Sequence, residues 1–164
     1  MRQRRYSAPM TSPRDIRTFS RMLESQGPEA ALAYLNDAVP HRYSAVYRVD
    51  GGMLRNIFLH DKKHETRPEF LAVVPFGVSF CQFVLRDGAF RTVDSGGDAR
   101  LDGHPYQGVM VSYHGVPLAD PSGALIGTLC HFDVVAHGLA DEEFDLLERA
   151  GRVLPEYLPP PASS

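Results

Sequence analysis

Two thiols are the most reactive side chains that the sequence offers. The chain contains two cysteines, Cys81 and Cys130, and a thiolate can act as a nucleophile or exchange with a second thiol. Cys81 follows Gly77 at the predicted start of a short helix, and we favour its interpretation as a small buried hydrophobe. The alternative is a pocket thiol whose pKa the helix dipole would lower. Cys130 lies in a predicted strand among apolar residues and is expected in the core. A disulfide is not expected in a reducing compartment.

Two histidines form a second candidate site. Strand alternation predicts that His114 and His131 share one face of adjacent strands as diagonal neighbours, roughly 7–8 Å apart at the backbone. With a third ligand such as His60 or His104 they could hold zinc. No dense spacing of further ligands accompanies them, so we expect solvated or hydrogen-bonded imidazoles and no metal.

A third group of candidate residues lies in 95–110, a stretch rich in Gly, Asp and His that is predicted to be a loop with a short helix. There His104, Tyr106 and Gln107 could orient a small ligand, or they could belong to a plain surface loop. The chain lacks the Gly-Lys-Ser/Thr loop that cradles phosphate, the Gly-x-Ser-x-Gly elbow and the His-Glu-x-x-His motif. We therefore expect no cofactor.

Helices are predicted near both ends of the chain. Ser12 as N-cap and Pro13 at the first helical position begin the first helix. A second, Ala-rich helix is predicted over 29–36, and an amphipathic helix over 141–158, which Pro155 bends or ends.

Two hairpins are predicted between those helices. Residues 43–49 alternate in character and turn at Asp50-Gly51-Gly52 into a strand over 53–60. A short helix over 77–85 and a short strand over 90–94 follow.

The second hairpin pairs 111–118 with 125–134 around a turn at 120–123, whose Pro and Gly suit a type I turn. Pairing of the first with the last turn residue would place Tyr113 opposite Cys130.

This order of elements predicts an α+β fold. An antiparallel sheet of about five to six strands, with the N- and C-terminal helices on one face, is the natural architecture. Residues 61–110 would cover the other face and leave a pocket between themselves and the sheet.

Composition narrows the class of protein. Apolar residues make up 43% of the 164 residues and the net charge is -3, which gives no general attraction to nucleic acid or anionic membranes. No run of roughly 18 apolar residues occurs and no secretory signal is recognised, so we expect a cytoplasmic protein. One domain is predicted over 12–158, with disordered tails at 1–11 and 159–164.

Several segments together carry a family resemblance. They are Gly77-Val78-Ser79-Phe80-Cys81, Thr92-Val93-Asp94 with Asp98-Ala99-Arg100-Leu101, Tyr113-His114-Gly115-Val116-Pro117-Leu118, Asp120-Pro121-Ser122-Gly123, Ile126-Gly127-Thr128-Leu129-Cys130, and Leu139 to Leu147. Their patterns resemble the GAF family over nearly the whole of 12–158. The resemblance implies a small-molecule sensor, although fold alone does not give function.

The resemblance also implies three sharper possibilities, each of which lacks a residue here. Members that bind cyclic nucleotides carry an Asn-Lys pair after the last strand, where this chain has Asp133-Val134. Members that attach a bilin use a cysteine leading into a helix, whereas Cys130-His131 falls on a strand. Members that reduce free methionine sulfoxide use several thiols; Cys81 matches one, and the partner expected near 103–110 is missing.

We therefore expect a protein that senses an unknown small molecule and is not an enzyme. The alternative is an enzyme that reduces free methionine sulfoxide through the thiol of Cys81. The predicted ligand-binding residues are Tyr47, Cys81, His104, Tyr106, Gln107, Tyr113 and Cys130. A third possibility is an interaction domain whose pocket is filled by Tyr47, Phe58 and Tyr106. Output is expected through a homodimer of the terminal helices or a separate signalling protein.

Overall fold

A computed structural model describes residues 14–159. The strands are β1 Tyr43–Asp50, β2 Met53–Asp61, β3 Val73–Pro75, β4 Phe90–Thr92, β5 Ser112–Ala119 and β6 Leu125–Asp133. The helices are α1 Ile16–Gln26, α2 Pro28–Asp37, α3 Glu69–Ala72, α4 Cys81–Asp87 and α5 Asp141–Val153. No helix among residues 14–159 is long and apolar enough to span a bilayer.

The described strands form one antiparallel sheet in the order β3-β2-β1-β6-β5-β4. This confirms the predicted α+β fold and both hairpins. The short strand β3 was not predicted, because residues 61–110 were expected to cover the sheet rather than to add a strand to it. Three residues that pair only with Met53–Arg55 are too few to show the alternation by which a strand is recognised.

One face of the sheet carries the terminal helices, as predicted. Side chains of β1, β5 and β6 that point to this face pack against apolar residues of α1, α2 and α5 in a single buried cluster. The members that are almost fully buried include Phe19, Leu23, Leu35, Val46, Val116, Leu118, Leu129 and Leu147. We call this side of the sheet the helical face.

The helix ends differ in part from the prediction. Helix α1 begins at Ile16, and its N-cap is Asp15, whose carboxylate accepts a hydrogen bond from the Thr18 amide. The predicted cap at Ser12 is therefore wrong; Ser12 and Pro13 themselves lie outside the described residues. Helix α5 ends at Val153 and tightens into a 3₁₀ turn, Leu154–Tyr157, which contains Pro155.

The register of the β5–β6 hairpin corrects the predicted pairing. Tyr113 lies opposite Phe132, and His114 lies directly opposite His131. The loop is one residue longer than assumed, since Asp120 N donates to Ala124 O, and a bulge follows between Leu118 and Ala119. The resulting shift of two residues keeps every side chain on its predicted face, because side chains alternate with a period of two.

Candidate ligand-binding cavity

The face of the sheet opposite the helical face is covered by residues 69–110. Alternate side chains of β1, β5 and β6 point to this side and pack against α4 and the loop after β4. The buried members from the strands are Tyr43, Ala45, Tyr47, Tyr113, Cys130 and Phe132. The arrangement agrees with the predicted position of a pocket between the sheet and the covering segment.

A cavity of about 40 Å³ lies within this second core. Its lining residues are Tyr47, Leu54, Phe70, Leu71, Val74, Ser79, Phe80, Cys81, Tyr106, Met110, Tyr113 and Phe132. Among the residues that the structure describes, no charged side chain lines it. Ligand pockets commonly enclose roughly 300–1,000 Å³, so this cavity is much smaller than an ordinary ligand pocket.

The floor of the cavity carries its polar atoms. Cys81 Sγ lies 3.3 Å from Tyr113 Oη and 3.2 Å from Thr128 Oγ1. All three groups are buried, but only Cys81 and Tyr113 belong to the lining, so the floor offers one hydroxyl and one thiol without a charge.

Burial governs the chemistry of the thiols. It raises the pKa of Cys81 above its ordinary value, with hydrogen bonds from Thr128 and Tyr113 opposing the shift. It raises the pKa of Cys130 well above that value. Of the two interpretations of Cys81, the structure agrees with the favoured one, a small buried side chain, and not with a thiol of lowered pKa, because desolvation outweighs the dipole of the seven-residue helix α4.

Gly115 leaves room for the Tyr113 ring at the floor. A Cβ built on Gly115 would lie 2.7 Å from both Cε1 and Oη of Tyr113. The ring therefore lies over the backbone of its own strand, and only glycine leaves room for it. In the sequence Gly115 stood out only as part of the family motif, and its contact with the Tyr113 ring was not predicted.

Tyr47 connects the sheet to the wall of the cavity. Its hydroxyl donates to Leu71 O at 2.8 Å, which ties β1 to the short helix α3. Phe70, the neighbouring residue, is 49% exposed and lies at the rim. This wall includes the four-residue helix α3, which leads directly into β3 at the edge of the sheet.

The loop after β4 contributes Tyr106 and Met110 to the lining. His104 is not in the lining; its ring packs on Phe80 with centroids 4.8 Å apart, and its Nδ1 accepts from the Tyr106 amide. It therefore orders the cover. Gln107 turns away from the cavity and bonds to the loop itself, through Gly103 N and Asp102 Oδ1.

Four of the seven predicted binding residues thus line the cavity: Tyr47, Cys81, Tyr106 and Tyr113. Cys130 lies beneath it in the core, with Sγ 3.7 Å from Ala45 O. Phe58, predicted to fill the pocket, packs on the helical face instead. Phe70, Leu71 and Val74 were missed, since their segment shows no periodic pattern.

The Asp-x-Arg segment has a structural role here. Arg100 Nη2 lies 2.5 Å from Asp98 Oδ2 and also donates to Arg91 O. The guanidinium beside Asp98 lowers the pKa of that carboxyl to about 2. Its carbon lies 4.7 Å from the centroid of the Phe90 ring. These contacts fasten the loop over the end of β4 and leave no charge for a ligand.

Solved structures share this architecture. A GAF domain from an Acinetobacter phosphoenolpyruvate-protein phosphotransferase superposes with a TM-score of 0.68, covering 86% of this chain and 88% of its own, at 13% identity. The GAF domain of the corresponding protein from Coxiella burnetii gives a TM-score of 0.65 over 86% and 88%, at 17% identity. The chain has the GAF fold. No family model and no curated protein sequence matches it.

Enzymes also occur among the structures with this GAF fold. The free methionine-R-sulfoxide reductase from Neisseria meningitidis, solved with its substrate, gives a TM-score of 0.67, covering 86% of this chain and 84% of its own, at 17% identity. At such identities the likeness establishes the fold alone. Sensor and reductase must be separated by the residues of this chain's own cavity.

Proposed function

We propose that this chain is a GAF-type sensor for a small, uncharged molecule with an apolar or aromatic body, bound in the cavity between the sheet and the covering segment. The observation that carries the proposal is the composition of the lining. Aromatic and aliphatic side chains from both layers enclose the space, and no charged side chain is among them.

The absence of charge in the lining selects against whole classes of ligand. A carboxylate, phosphate or ammonium taken into such a site would lose its hydration without gaining a partner. Cyclic nucleotides and free amino acids are therefore poor candidates. A ligand with one hydroxyl or carbonyl oxygen would instead meet the Cys81 thiol and the Tyr113 hydroxyl in the lining.

Entry of a ligand requires the cover to move, because about 40 Å³ holds little more than one or two water molecules. Phe70 on α3 and Tyr106 in the loop after β4 lie at opposite sides of the space and would separate. Displacement of α3 would pull on Tyr47 through its bond to Leu71. We propose that this movement is passed to a second copy or another signalling protein through the terminal helices.

The reductase remains the alternative, and Cys81 at the cavity is the observation that favours it. Reduction of a sulfoxide needs one thiol to attack and another to resolve the sulfenic acid. Cys130 lies below the cavity, its pKa is well above the ordinary value, and no cationic or anionic group lines the space to hold an amino acid. The cavity therefore favours the sensor.

Thermal unfolding with a panel of small molecules tests the proposal. Uncharged aromatics such as indole or phenol are expected to raise the Tm by roughly 5–10 °C at a hundredfold excess over Kd. Cyclic nucleotides, amino acids and free methionine sulfoxide are expected to leave it unchanged, and methionine sulfoxide is not expected to be consumed in the presence of a dithiol.

Two valines provide a matched pair of variants for this panel. Val74→Phe adds a ring to the cavity wall, whereas Val93→Phe makes the same change at a side chain that is 51% exposed and outside the lining. Only Val74→Phe is expected to lose the ligand response. Stabilisation by charged molecules alone, turnover of the sulfoxide, or no response to any uncharged compound would overturn the proposal.

A further inference from the structure

Four imidazoles meet at one end of the helical face, away from the cavity. His41 precedes β1, His114 and His131 pair across β5 and β6, and His137 follows β6. The His41 ring lies in their midst, with its centroid 5.1 Å from that of His114, 6.1 Å from that of His131 and 5.4 Å from that of His137. His41, His114 and His131 are at most 1% exposed.

The ring nitrogens of this cluster are poorly satisfied. Asn36 Nδ2 donates to Ser44 Oγ, which also lies 2.5 Å from His131 Nδ1. His131 Nε2 has no hydrogen-bond partner within the described part of the chain. Neither ring nitrogen of His41 has a partner there. Buried polar atoms without partners are rare in folded proteins.

The charged groups around the cluster are mostly cations. Arg91 Nε on β4 donates to His114 Nδ1 at 3.4 Å, and Lys62 after β2 donates to the Asn36 side chain. Arg14 ahead of α1 adds a further repulsive charge at His131 and is itself paired with Glu143 of α5 at 2.7 Å. The carboxylate of Asp133 on β6 is occupied, since Oδ2 accepts from Arg42 N and pairs with His137 Nε2 at 3.3 Å.

A proton on any of the three buried rings would therefore be unfavourable. Burial is the main reason why the pKa of His41 and that of His114 are lowered to about 4. The pKa of His131 is lowered well below its ordinary value for the same reason. At neutral pH these three buried rings are uncharged.

The arrangement of the four imidazoles is not that of a metal centre. Among residues 14–159 no three His, Cys, Asp or Glu side chains are arranged to hold a metal ion. Neither His60 nor His104, the third ligands considered from the sequence, joins the cluster; His41 does, and its ring fills the middle rather than surrounding an empty centre.

The segment that closes over the cluster joins β6 to α5. Residues 134–140 form neither helix nor strand. They are held by a few contacts: His114 Nε2 to His137 O at 3.4 Å, Ser112 Oγ to Val135 O at 2.9 Å, and Arg91 Nη2 to Leu139 O at 2.8 Å. Beyond Leu139, Arg91 also lies 3.4 Å from Asp141 Oδ1, at the start of α5.

We propose that the buried histidine cluster is an acid-sensitive latch, which holds 134–140 and the start of α5 against the sheet while uncharged and releases them when it takes up protons. Opening exposes the rings to water, where each binds a proton with an ordinary pKa near 6.5. Protonation therefore stabilises the open form, and the cations that surround the cluster oppose reclosure. The latch acts on a terminal helix and is independent of what the cavity binds.

Hydrogen exchange of the full-length chain, measured by mass spectrometry at pH 7.5 and 5.5 and corrected for intrinsic rates, tests the latch. Protection of 134–147 is expected to fall about tenfold for each buried histidine that opening exposes. Protection of β1, at the centre of the sheet, depends on unfolding of the whole chain and is expected to stay well above that of 134–147 at both pH values. Equal protection of the two segments at both pH values, or no fall in 134–147, would overturn the proposal.

Two substitutions sharpen this experiment. His41→Leu removes the central ring and is expected to reduce the fall in protection by about tenfold, whereas His64→Gln, at an exposed histidine outside the cluster, is expected to behave like the parent chain. If His41→Leu does not fold, NMR titration of the parent imidazoles replaces it; the rings of His41 and His114 are expected to show a pKa of about 4, and that of His131 a pKa well below its ordinary range. Normal titration of those rings, or protection of 134–147 by Zn²⁺ that a chelator reverses, would contradict the latch.

Discussion

Replacing Gly127 with alanine is expected to destabilise the fold by about 3 kcal/mol or more. Gly127 lies opposite Arg48 where the central strands β1 and β6 pair. A Cβ at this position would lie 2.0 Å from Tyr47 O and 3.2 Å from Arg48 Cα. Those atoms belong to the backbone of β1 and cannot move without breaking the ladder, so the two hairpins would separate. Urea denaturation measures the loss.

Gly97→Ala is the matched control for this variant. A Cβ on Gly97 meets no atom within 4 Å, and its φ is not positive, so the same substitution is expected to change the free energy of unfolding by less than about 0.5 kcal/mol. A similar loss in both variants would show that the close approach of β1 and β6 at Gly127 is not what makes glycine necessary there.

Acidification from pH 7.5 to 5 is expected to reduce the free energy of unfolding by about 4 kcal/mol through His41 and His114 alone. His41 and His114 have pKa values of about 4 in the folded chain, against about 6.5 when unfolded. The unfolded chain therefore binds protons that the folded chain does not. The stabilisation is present above pH 6.5 and is lost as the pH falls towards 4, at about 2 kcal/mol for each histidine by pH 5.

Carboxylates do not account for a loss in that window. Asp61, bonded to Arg42, and Asp98, bonded to Arg100, each have a pKa of about 2, so their contribution persists until the pH falls below about 4. Urea denaturation at half-unit intervals, with His64→Gln as the control variant, measures the profile. A free energy of unfolding that stays constant between pH 7.5 and 5 would contradict the uncharged state of the cluster.

The parts of the fold that the sequence predicted are those with a strong local signal. The hairpins of β1–β2 and β5–β6 have strands of eight or nine residues joined by recognisable turns, and α5 repeats apolar residues at helical spacing. The register error in β5–β6 came from the loop, where the Asp120 side chain accepts from Ser122 N and Ala124 N and lengthens the turn. Such side-chain capping leaves no periodic trace in the sequence.

Only some of the residues that line the candidate cavity could be predicted, chiefly those on the long strands. Tyr47 and Tyr113 follow from alternation, and Cys81 from the resemblance to GAF sequences. Leu71 and Val74 lie in elements of four and three residues, α3 and β3, whose stability comes from contact with the sheet rather than from their own propensity. His41 was not predicted to join the histidine cluster, because it is a single loop residue that comes close to His114 and His131 only once the chain is folded.

Methyl NMR of the methionines, during titration with an uncharged aromatic such as indole, tests the central claim most directly. Met110 lines the cavity, whereas Met22 packs on the helical face and Met53 begins β2. If the chain senses a small uncharged molecule in this cavity, the Met110 methyl shifts saturably while those of Met22 and Met53 stay in place, and cyclic nucleotides or methionine sulfoxide shift none of them. Equal shifts at all three methyls, or a Met110 methyl that responds only to the charged molecules, would contradict the claim.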